Sequence, residues 1–401
     1  MSNKPQRHYF LDWVRIIAFF ILIFYHVGMY YVTWDWHVKS AHASDAIEPL
    51  MMLSSPWRLS LLFMISGVAS AFMLRKISAM TFLRQRSVRL LVPLIFGMLV
   101  IVPPQPYFEI IEKIAYQGSY LDFLRLYISG YHGFCKDHSC LDLPTWNHLW
   151  FVAYLWIYTL LLGALMLAFG RHLDTLSDRL GKLLGGWNII VLPALVLALI
   201  RVALVARYPA NHAVVGDWFN HANYGVLFVL GVLLANQRAC WAQLEQLRFA
   251  SLGIALTCWA SLIIYYSLAD AMAPIDPSEP VRITMRVVYA LCEWTAITAV
   301  FGFAHRHLHF DSAKRRYLTE AVFPVYILHQ SLIVTMAHLI KPAKIAAPIE
   351  ALLLVTLTLT ISLGVFEGVR RVRVLRPLFG LGSSPAPRTF PAPAMETRAA
   401  A

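Results

Sequence analysis

Three ionisable residues share one face of an apolar segment near the start of the chain. On a helix, the 11-residue step from Arg15 to His26 is a net rotation of about 20°, and Asp12 lies within about 60° of Arg15. His26 then lies roughly 16 Å beyond Arg15 along the helix axis. An imidazole at that depth is costly unless it faces a polar cavity, and it can accept a proton near neutral pH. His26 is therefore a candidate general base, while Asp12 and Arg15 either join this site or form an ion pair that anchors the helix end.

A second group of cations precedes the third apolar segment, in the run RKISAMTFLRQRSVRLLVP. Arg86 and Arg89 are three residues apart and are neighbours on one helical face, with Arg84 close by. A guanidinium group suits phosphate better than an ammonium group does, so a phosphorylated donor could dock on these three arginines. The alternative is that their charges only fix the orientation of the chain in the membrane.

Later apolar segments carry further ionisable residues. Arg286 and Glu293 lie about two helical turns apart on one face, and each is expected to pair with a group across the bundle. His329 lies near the middle of its segment, where a site in a polar cavity and a purely structural hydrogen bond are both open. His148 lies near the outer end of the fourth segment, next to an interfacial tryptophan.

The composition indicates that these segments are membrane-spanning helices. Of the 401 residues, 59% are hydrophobic and 14% are charged, and the mean hydropathy is +0.60. A soluble domain could not bury so much apolar surface, and helices rather than sheets are expected because they satisfy their backbone groups within lipid. The expected fold is an all-α polytopic membrane bundle of about ten transmembrane helices. They are expected near residues 10–33, 56–75, 88–106, 147–169, 187–207, 220–236, 249–268, 283–305, 320–341 and 348–369.

Basic residues predict the orientation of the bundle, since Lys and Arg are retained on the cytoplasmic side during insertion. With a cytoplasmic N-terminus, 22 of the 34 Lys and Arg residues fall on the cytoplasmic side and nine on the other. Both termini are then cytoplasmic. The net charge of +12 follows from this topology, so nucleic acid binding is not expected. The lipid bilayer is the expected environment, and the sequence leaves the oligomeric state open, a homodimer included.

The remaining features concern a loop and the C-terminal region. Cys135 and Cys140 share an outside loop, where they either form a disulfide or stay as two unpaired thiols. Zinc-ligand spacings are absent from the sequence, so no metal is expected. Residues 1–377 are expected to form the transmembrane domain, and the Pro- and Ala-rich residues 378–401 a disordered cytoplasmic tail.

Five short motifs occur in the order found in the acyltransferase type 3 family of membrane proteins, which the chain resembles over about residues 8–375. The start RHYFLDWVR and the later DWHVKSA are similar to the group of that family that succinylates periplasmic glucans. One position departs from the family, because Ile16 follows Arg15 where glycine is common. The motifs are Arg15 with His26, FMISG at Phe63–Gly67, Arg86 and Arg89 with Pro93, HLWF in the fourth segment, and VFPVYILHQ in the ninth.

The resemblance implies an acyl-CoA-dependent O-acyltransferase of the bacterial inner membrane. Such an enzyme moves an acyl group, here succinyl in preference to acetyl, from cytosolic acyl-CoA to a hydroxyl of a periplasmic glucan or another carbohydrate. Ser66 or His26 as a transient acyl carrier is the alternative to direct transfer. The expected catalytic residues are His26, Arg15, Glu293 and His329, and the expected donor-binding residues are Arg84, Arg86, Arg89 and Ser66.

A different class of function is also compatible with the sequence. Ten helices with buried His, Glu and Arg also suit a carrier or flippase for a glycan or lipid, without transferase chemistry. The sequence shows no inverted repeat and no matching pair of Gly- or Pro-broken spans, which are the features that would favour a carrier.

Overall fold

The chain is built almost entirely of helices. The structure is a computed structural model that describes residues 8–136, 139–273 and 275–382. The strand β1 (Cys135–Lys136) pairs antiparallel with β2 (Ser139–Cys140). The α-helices are α1 (Tyr9–Tyr31), α2 (Glu48–Ser54), α3 (Arg58–Leu74), α4 (Ala79–Phe96), α5 (Pro104–Ile114), α6 (Tyr120–Ile128), α7 (Trp150–Leu183), α8 (Asn188–Leu204), α9 (Trp218–Leu234), α10 (Arg238–Ala271), α11 (Glu279–His307), α12 (Ala313–Ile340) and α13 (Ala347–Arg371).

Each of the ten predicted spans falls on a helix, so the prediction of an all-α membrane bundle is confirmed. Within the described residues, eight helical segments are long and apolar enough to cross a membrane. A ninth is the pair His172–Leu183 and Asn188–Leu204, which meet at 108°. Gly186 has a positive φ of 61° in the turn between them. This backbone conformation is unfavourable for a residue with a Cβ atom and favours glycine. The sixth predicted span is the 17-residue α9, Trp218–Leu234.

The third predicted span is a composite element. The helix α4 begins at the cap of Ser78, whose side chain accepts a hydrogen bond from the Thr81 amide. It continues through the π-helical turn Gly97–Ile101, and the chain then re-forms a helix as α5. A π-turn inside a helix is frequently found at a functional site.

Two glycines allow α3 and α9 to pack with their backbones in close approach. A Cβ on Gly67 would lie 2.0 Å from the carbonyl oxygen of Phe228, and a Cβ on Gly231 would lie 2.1 Å from the carbonyl oxygen of Met64. Small residues at helix contacts permit this approach within membranes. The glycine of the FMISG motif is therefore explained by packing, while the serine before it faces a cavity.

Gly67→Ala should lower the free energy of unfolding by about 1–3 kcal/mol, because the added methyl group forces α3 and α9 apart. Thermal unfolding of the purified protein in detergent measures the effect. Gly253→Ala is the control, since a Cβ there meets no atom within 4 Å. Equal unfolding temperatures for both variants and the wild type would contradict the close contact.

The helix α1 lies in the middle of the bundle, where it contacts α3, α11, α12 and α13. Its partner α12 has mostly buried residues through its central part and also contacts α5. The two central helices therefore bring the first and ninth predicted spans together, although about 300 residues separate them in sequence.

Two features at the edges of the domain complete the fold. Cys135 and Cys140 are disulfide-bonded, which resolves the choice between a disulfide and two thiols. After α13, a short 3-10 helix (Pro377–Phe379) packs back on the bundle, and Phe379 and Leu381 are buried. The predicted tail lies outside the described residues from position 383 onward, and the domain boundary at 377 stays a prediction.

Candidate active site

Two cavities lie back to back in the bundle and share Leu62 and Phe151 in their walls. The outer cavity has a volume of about 470 Å³ and is lined by residues from the predicted non-cytoplasmic ends of the helices. The inner cavity has a volume of about 300 Å³ and is lined from the opposite ends. Each cavity collects one of the two groups of polar residues that the sequence singled out.

The inner cavity contains three arginines. Arg15 from α1 and Arg86 and Arg89 from α4 all line it. Nε and Nη2 of Arg86 are buried and have no hydrogen-bond partner in the described part of the chain. Arg84 is exposed and does not line this cavity, so the structure separates it from the other two predicted donor-binding arginines. The cavity is suited to an anionic ligand with several acceptor oxygens.

Ser66 also lines the inner cavity, as the donor-binding prediction requires. Its hydroxyl donates a hydrogen bond to the carbonyl oxygen of Leu62 in its own helix, 2.8 Å away. A serine nucleophile needs an adjacent base, and His26 lines the other cavity. The geometry therefore favours Ser66 as a lining residue over Ser66 as an acyl carrier.

His26 lines the outer cavity, and its hydrogen bonds fix its tautomer. Nδ1 of His329 lies 2.5 Å from the carbonyl oxygen of Tyr326, which only accepts, so this nitrogen carries the proton. Nε2 of His329 is then the acceptor for His26, whose Nδ1 lies 2.9 Å away and must donate. This leaves the lone pair of His26 Nε2 without a partner among the described residues. His26 can therefore accept a proton from a molecule in the outer cavity.

His329 itself is fully buried and is not among the residues that line either cavity. Both of its nitrogens are occupied, one by the Tyr326 carbonyl and one by His26. It is therefore placed to orient His26 and to remain its hydrogen-bond acceptor after His26 gains a proton. The arrangement suits His329 to a positioning role and leaves it no free nitrogen to act as a second base.

His148 lines the outer cavity but has no free nitrogen. Its Nε2 lies 3.1 Å from the carbonyl oxygen of Ile327, and its Nδ1 accepts from the Gln105 amide at 3.2 Å. The hydroxyl of Tyr326 in turn donates to the carbonyl oxygen of His148. These bonds tie the start of the fourth predicted span to α12 beside His26.

A chain of polar side chains that sequence reasoning missed extends from His148 along the outer cavity. The Gln330 amide group donates to Oε1 of Gln105 at 3.0 Å and lies 3.1 Å from Nε2 of His37. Nδ1 of His37 contacts Glu109, which also accepts from Lys113 at 2.9 Å. Gln105 and Glu109 belong to α5, which reaches the site directly after the π-helical turn of the third span. No spacing rule links α5 to α12, so the sequence carried no signal for this network.

The surface of the outer cavity combines aromatic rings with amides. Trp36, Trp146 and Trp150 line it, and the ring of His212 packs on Trp150 with centroids 4.3 Å apart. Burial lowers the pKa of His212, so its imidazole is neutral near pH 7. His212 has a left-handed φ of 56°, and its amide donates to buried Asp217 at 3.0 Å. A strained loop residue held in this way indicates a shaped binding surface.

Arg58 is a further residue of the outer cavity that the sequence did not single out. It is the first residue of α3 and is 7% exposed. Its guanidinium carbon lies 3.2 Å from the centre of the Tyr25 ring, next in sequence to His26. Sequence reasoning counted Arg58 only as an outside charge, since it precedes an apolar run.

The remaining predicted site residues lie elsewhere. Asp12 pairs with Arg15 at 3.7 Å and with buried Arg315, so the ion pair at the start of α1 exists and involves a third residue. Glu293 is buried, lines neither cavity and accepts hydrogen bonds from Ser60 at 2.5 Å and Asn223 at 2.7 Å. Its expected catalytic role stays a prediction, and the geometry gives it a direct part in holding the first turn of α3.

Among the described residues, Arg286 forms no ion pair across the bundle, which corrects the sequence-based expectation. It reaches Glu279 on its own helix, seven residues earlier, at 3.4 Å. Both residues lie near the outer end of α11, where Glu279 is 51% exposed and Arg286 is 20% exposed, and a local pair forms within the helix.

Among the described residues, no group of three or more His, Cys, Asp or Glu side chains is arranged to hold a metal ion.

The chain is similar to known proteins over nearly its whole length. The chain matches the family described as "Acyltransferase domain" over residues 8–367. It is 25% identical to glucans biosynthesis protein C of Salmonella schwarzengrund over 394 residues, which cover 94% of this chain and 96% of the relative. It is also 25% identical to the protein of that name from Salmonella typhimurium, with coverage of 97% and 98%. No solved structure matches the chain significantly. The chain belongs to the acyltransferase type 3 family and is a multi-pass membrane acyltransferase.

Proposed function

We propose that this protein transfers an acyl group from cytosolic acyl-CoA to a hydroxyl of a periplasmic glucan, with His26 as general base. One observation carries the proposal: the arginine-lined inner cavity and the His26-lined outer cavity meet at the shared residues Leu62 and Phe151. A donor and an acceptor that approach from opposite membrane faces then meet at one point. A carrier would instead require one substrate to pass through both cavities.

The inner cavity suits the donor. The phosphate groups of coenzyme A would bind Arg86 and Arg89, whose guanidinium groups offer several donors in a fixed plane. Arg15 also lines this cavity, and it lies on the helix that carries His26. The pantetheine arm is narrow and flexible, so it can extend between Leu62 and Phe151 and present the thioester beside His26.

The outer cavity suits the acceptor. Tryptophan rings and the amide groups of Gln330 and Asn147 line it, and such surfaces combine apolar contact area with hydrogen bonds for hydroxyl groups. The relatives are named for glucan biosynthesis, which supports a glucan acceptor. A succinyl donor is favoured, with acetyl as the alternative. The proposal places the protein in a bacterial inner membrane with both termini cytoplasmic.

The reaction follows from the tautomer of His26. Nε2 removes the proton of the sugar hydroxyl as the oxygen attacks the thioester carbonyl carbon. A carbon–oxygen bond forms, the carbon–sulfur bond breaks, and the thiolate of coenzyme A leaves and takes up the proton that His26 holds. While His26 is cationic, its Nδ1 proton still bonds to Nε2 of His329. Direct transfer therefore needs no acyl-enzyme.

Membrane vesicles of known orientation test the proposal. Inside-out vesicles that contain the protein and enclose a glucan are given radiolabelled acyl-CoA on the exposed cytoplasmic face. We expect labelled glucan inside the vesicles, and vesicles without the protein are the control. Movement of unmodified glucan without label would support a carrier, and labelling only when both substrates are on one side would contradict the opposed cavities.

A further inference from the structure

Arg58 is a buried cation of the outer cavity without a counter-ion. Its Nε and Nη1 atoms are buried and have no hydrogen-bond partner, and within the described ranges no carboxylate oxygen lies within 4 Å of its guanidinium nitrogens. Asp35 also lines this cavity, but its carboxylate is 88% exposed and pairs with Lys113 at 2.8 Å. A buried guanidinium group without an anion is costly, so its retention indicates a negatively charged ligand.

Other buried arginines of the protein show what Arg58 lacks. Arg315 is fully buried and pairs with both Asp12 and Asp311. Arg376 donates to the carbonyl oxygens of Gly382 and Arg370 and lies 3.5 Å from Glu320. The fold therefore supplies partners for arginines that serve its stability.

The position of Arg58 is held by its surroundings. The guanidinium carbon lies 3.2 Å from the centre of the Tyr25 ring, while Nε and Nη1 of the same group have no hydrogen-bond partner among the described residues. Two residues later, Ser60 donates to buried Glu293, and this bond fixes the first turn of α3. Arg58 is thus preorganised on the wall of the cavity that also contains the free nitrogen of His26.

We propose that Arg58 binds the terminal carboxylate of the acyl group during transfer and so selects dicarboxylic acyl donors over acetyl. The inference rests on the proposed function. In that function the thioester reaches His26 from the inner cavity, so the end of the acyl group remote from the sulfur enters the outer cavity first. A carboxylate at that end meets the planar guanidinium group, which can bind both oxygens. The methyl group of an acetyl donor leaves Arg58 without a partner.

The test compares two donors and a neutral glucan acceptor. Purified full-length protein in lipid nanodiscs is assayed with succinyl-CoA and acetyl-CoA, as wild type and as Arg58→Met, which keeps the length of the side chain without its charge. We expect kcat/KM for succinyl transfer to fall by about 10²-fold and kcat/KM for acetyl transfer to stay within a few-fold. Arg58→Lys should recover part of the succinyl activity, because it restores the positive charge but not the planar guanidinium group that can bind both carboxylate oxygens.

Arg201→Met is the matched control. Arg201 also stacks on a ring, Tyr289 at 3.4 Å, but it lines neither cavity, so its loss should leave the ratio of the two activities unchanged. Equal losses for both donors in Arg58→Met would overturn the inference and make Arg58 a general stabiliser of the reaction or the fold. A wild type that prefers acetyl-CoA would overturn it as well while leaving the transferase intact. A wild type that uses neither donor would overturn the proposed function itself.

Discussion

His26→Ala should lower the turnover of acyl transfer by about 10²- to 10⁴-fold, the usual contribution of acid–base assistance. The affinity for acyl-CoA should stay within a few-fold of wild type, because the cationic groups proposed to bind the donor lie in the other cavity. Turnover comes from transfer of radiolabel to glucan at saturating donor. Donor affinity comes from equilibrium binding to the same purified preparation.

His221→Ala is the matched control for this experiment. His221 is a half-buried histidine near the outer end of α9, bonded to the carbonyl oxygen of Val214 at 2.8 Å, and it lines neither cavity. Its loss should leave turnover near wild type. If His26→Ala keeps most of its turnover in correctly inserted protein, the assignment of the base is wrong. If it abolishes donor binding, His26 belongs to the thioester pocket and another group takes the proton.

The double variant Arg86→Ala, Arg89→Ala should weaken acyl-CoA binding by about 10²- to 10³-fold, since it removes two sets of charge-assisted hydrogen bonds to phosphate. The maximal rate at saturating donor should change less, because the reacting carbonyl is proposed to lie beside His26, which lines the other cavity. Binding measured at low and high salt tests the electrostatic contribution of the two arginines separately. The affinity of the wild type for acyl-CoA should fall more with added salt than that of the variant.

Arg84→Ala is the control for the donor site. Arg84 lies on the same helix and carries the same charge, but it is exposed and outside the inner cavity. Its replacement should change donor affinity by less than about tenfold. An equal effect of Arg84→Ala and the double variant would show that the helix acts through its total charge and not through the cavity.

Helical periodicity was sufficient to find the polar face of α1. Arg15 and His26 do share a stripe, and that stripe passes from the inner to the outer cavity as the spacing predicts. Helical periodicity also places Arg84 on a different face of α4 from Arg86, in agreement with its position outside the inner cavity. Arg84 and Arg86 are two positions apart, a rotation of about 200°, so Arg84 must face away from Arg86.

Contacts between distant helices could not be read from one sequence. The bond between His26 and His329 joins residues 303 positions apart, and it depends on how α1 and α12 rotate against each other. Periodicity gives the face of each helix but not which faces meet. For the same reason the sequence predicted a partner for Glu293 across the bundle but could not identify it as Ser60 or Asn223.

Arg58 was missed for a different physical reason. A basic residue at the outer end of an apolar run is normally a loop charge in contact with water, and composition cannot distinguish this from a charge enclosed by the bundle. Burial of Arg58 depends on the Tyr25 ring and on the loop residues that close over the cavity. These contacts exist only in the folded chain.

The thin wall formed by Leu62 and Phe151 also has an electrical consequence. Because polar cavities approach this wall from both faces, an applied transmembrane voltage would fall mainly across the wall instead of the full bilayer. In the proposed reaction, an acyl group with a terminal carboxylate would move one negative charge outward through that field. A potential that is negative inside favours this movement by roughly 2.3 kcal/mol per 100 mV. Decoration of a glucan with a dicarboxylic acid would then be electrogenic, and an energised membrane would pull the charged acyl group toward the acceptor.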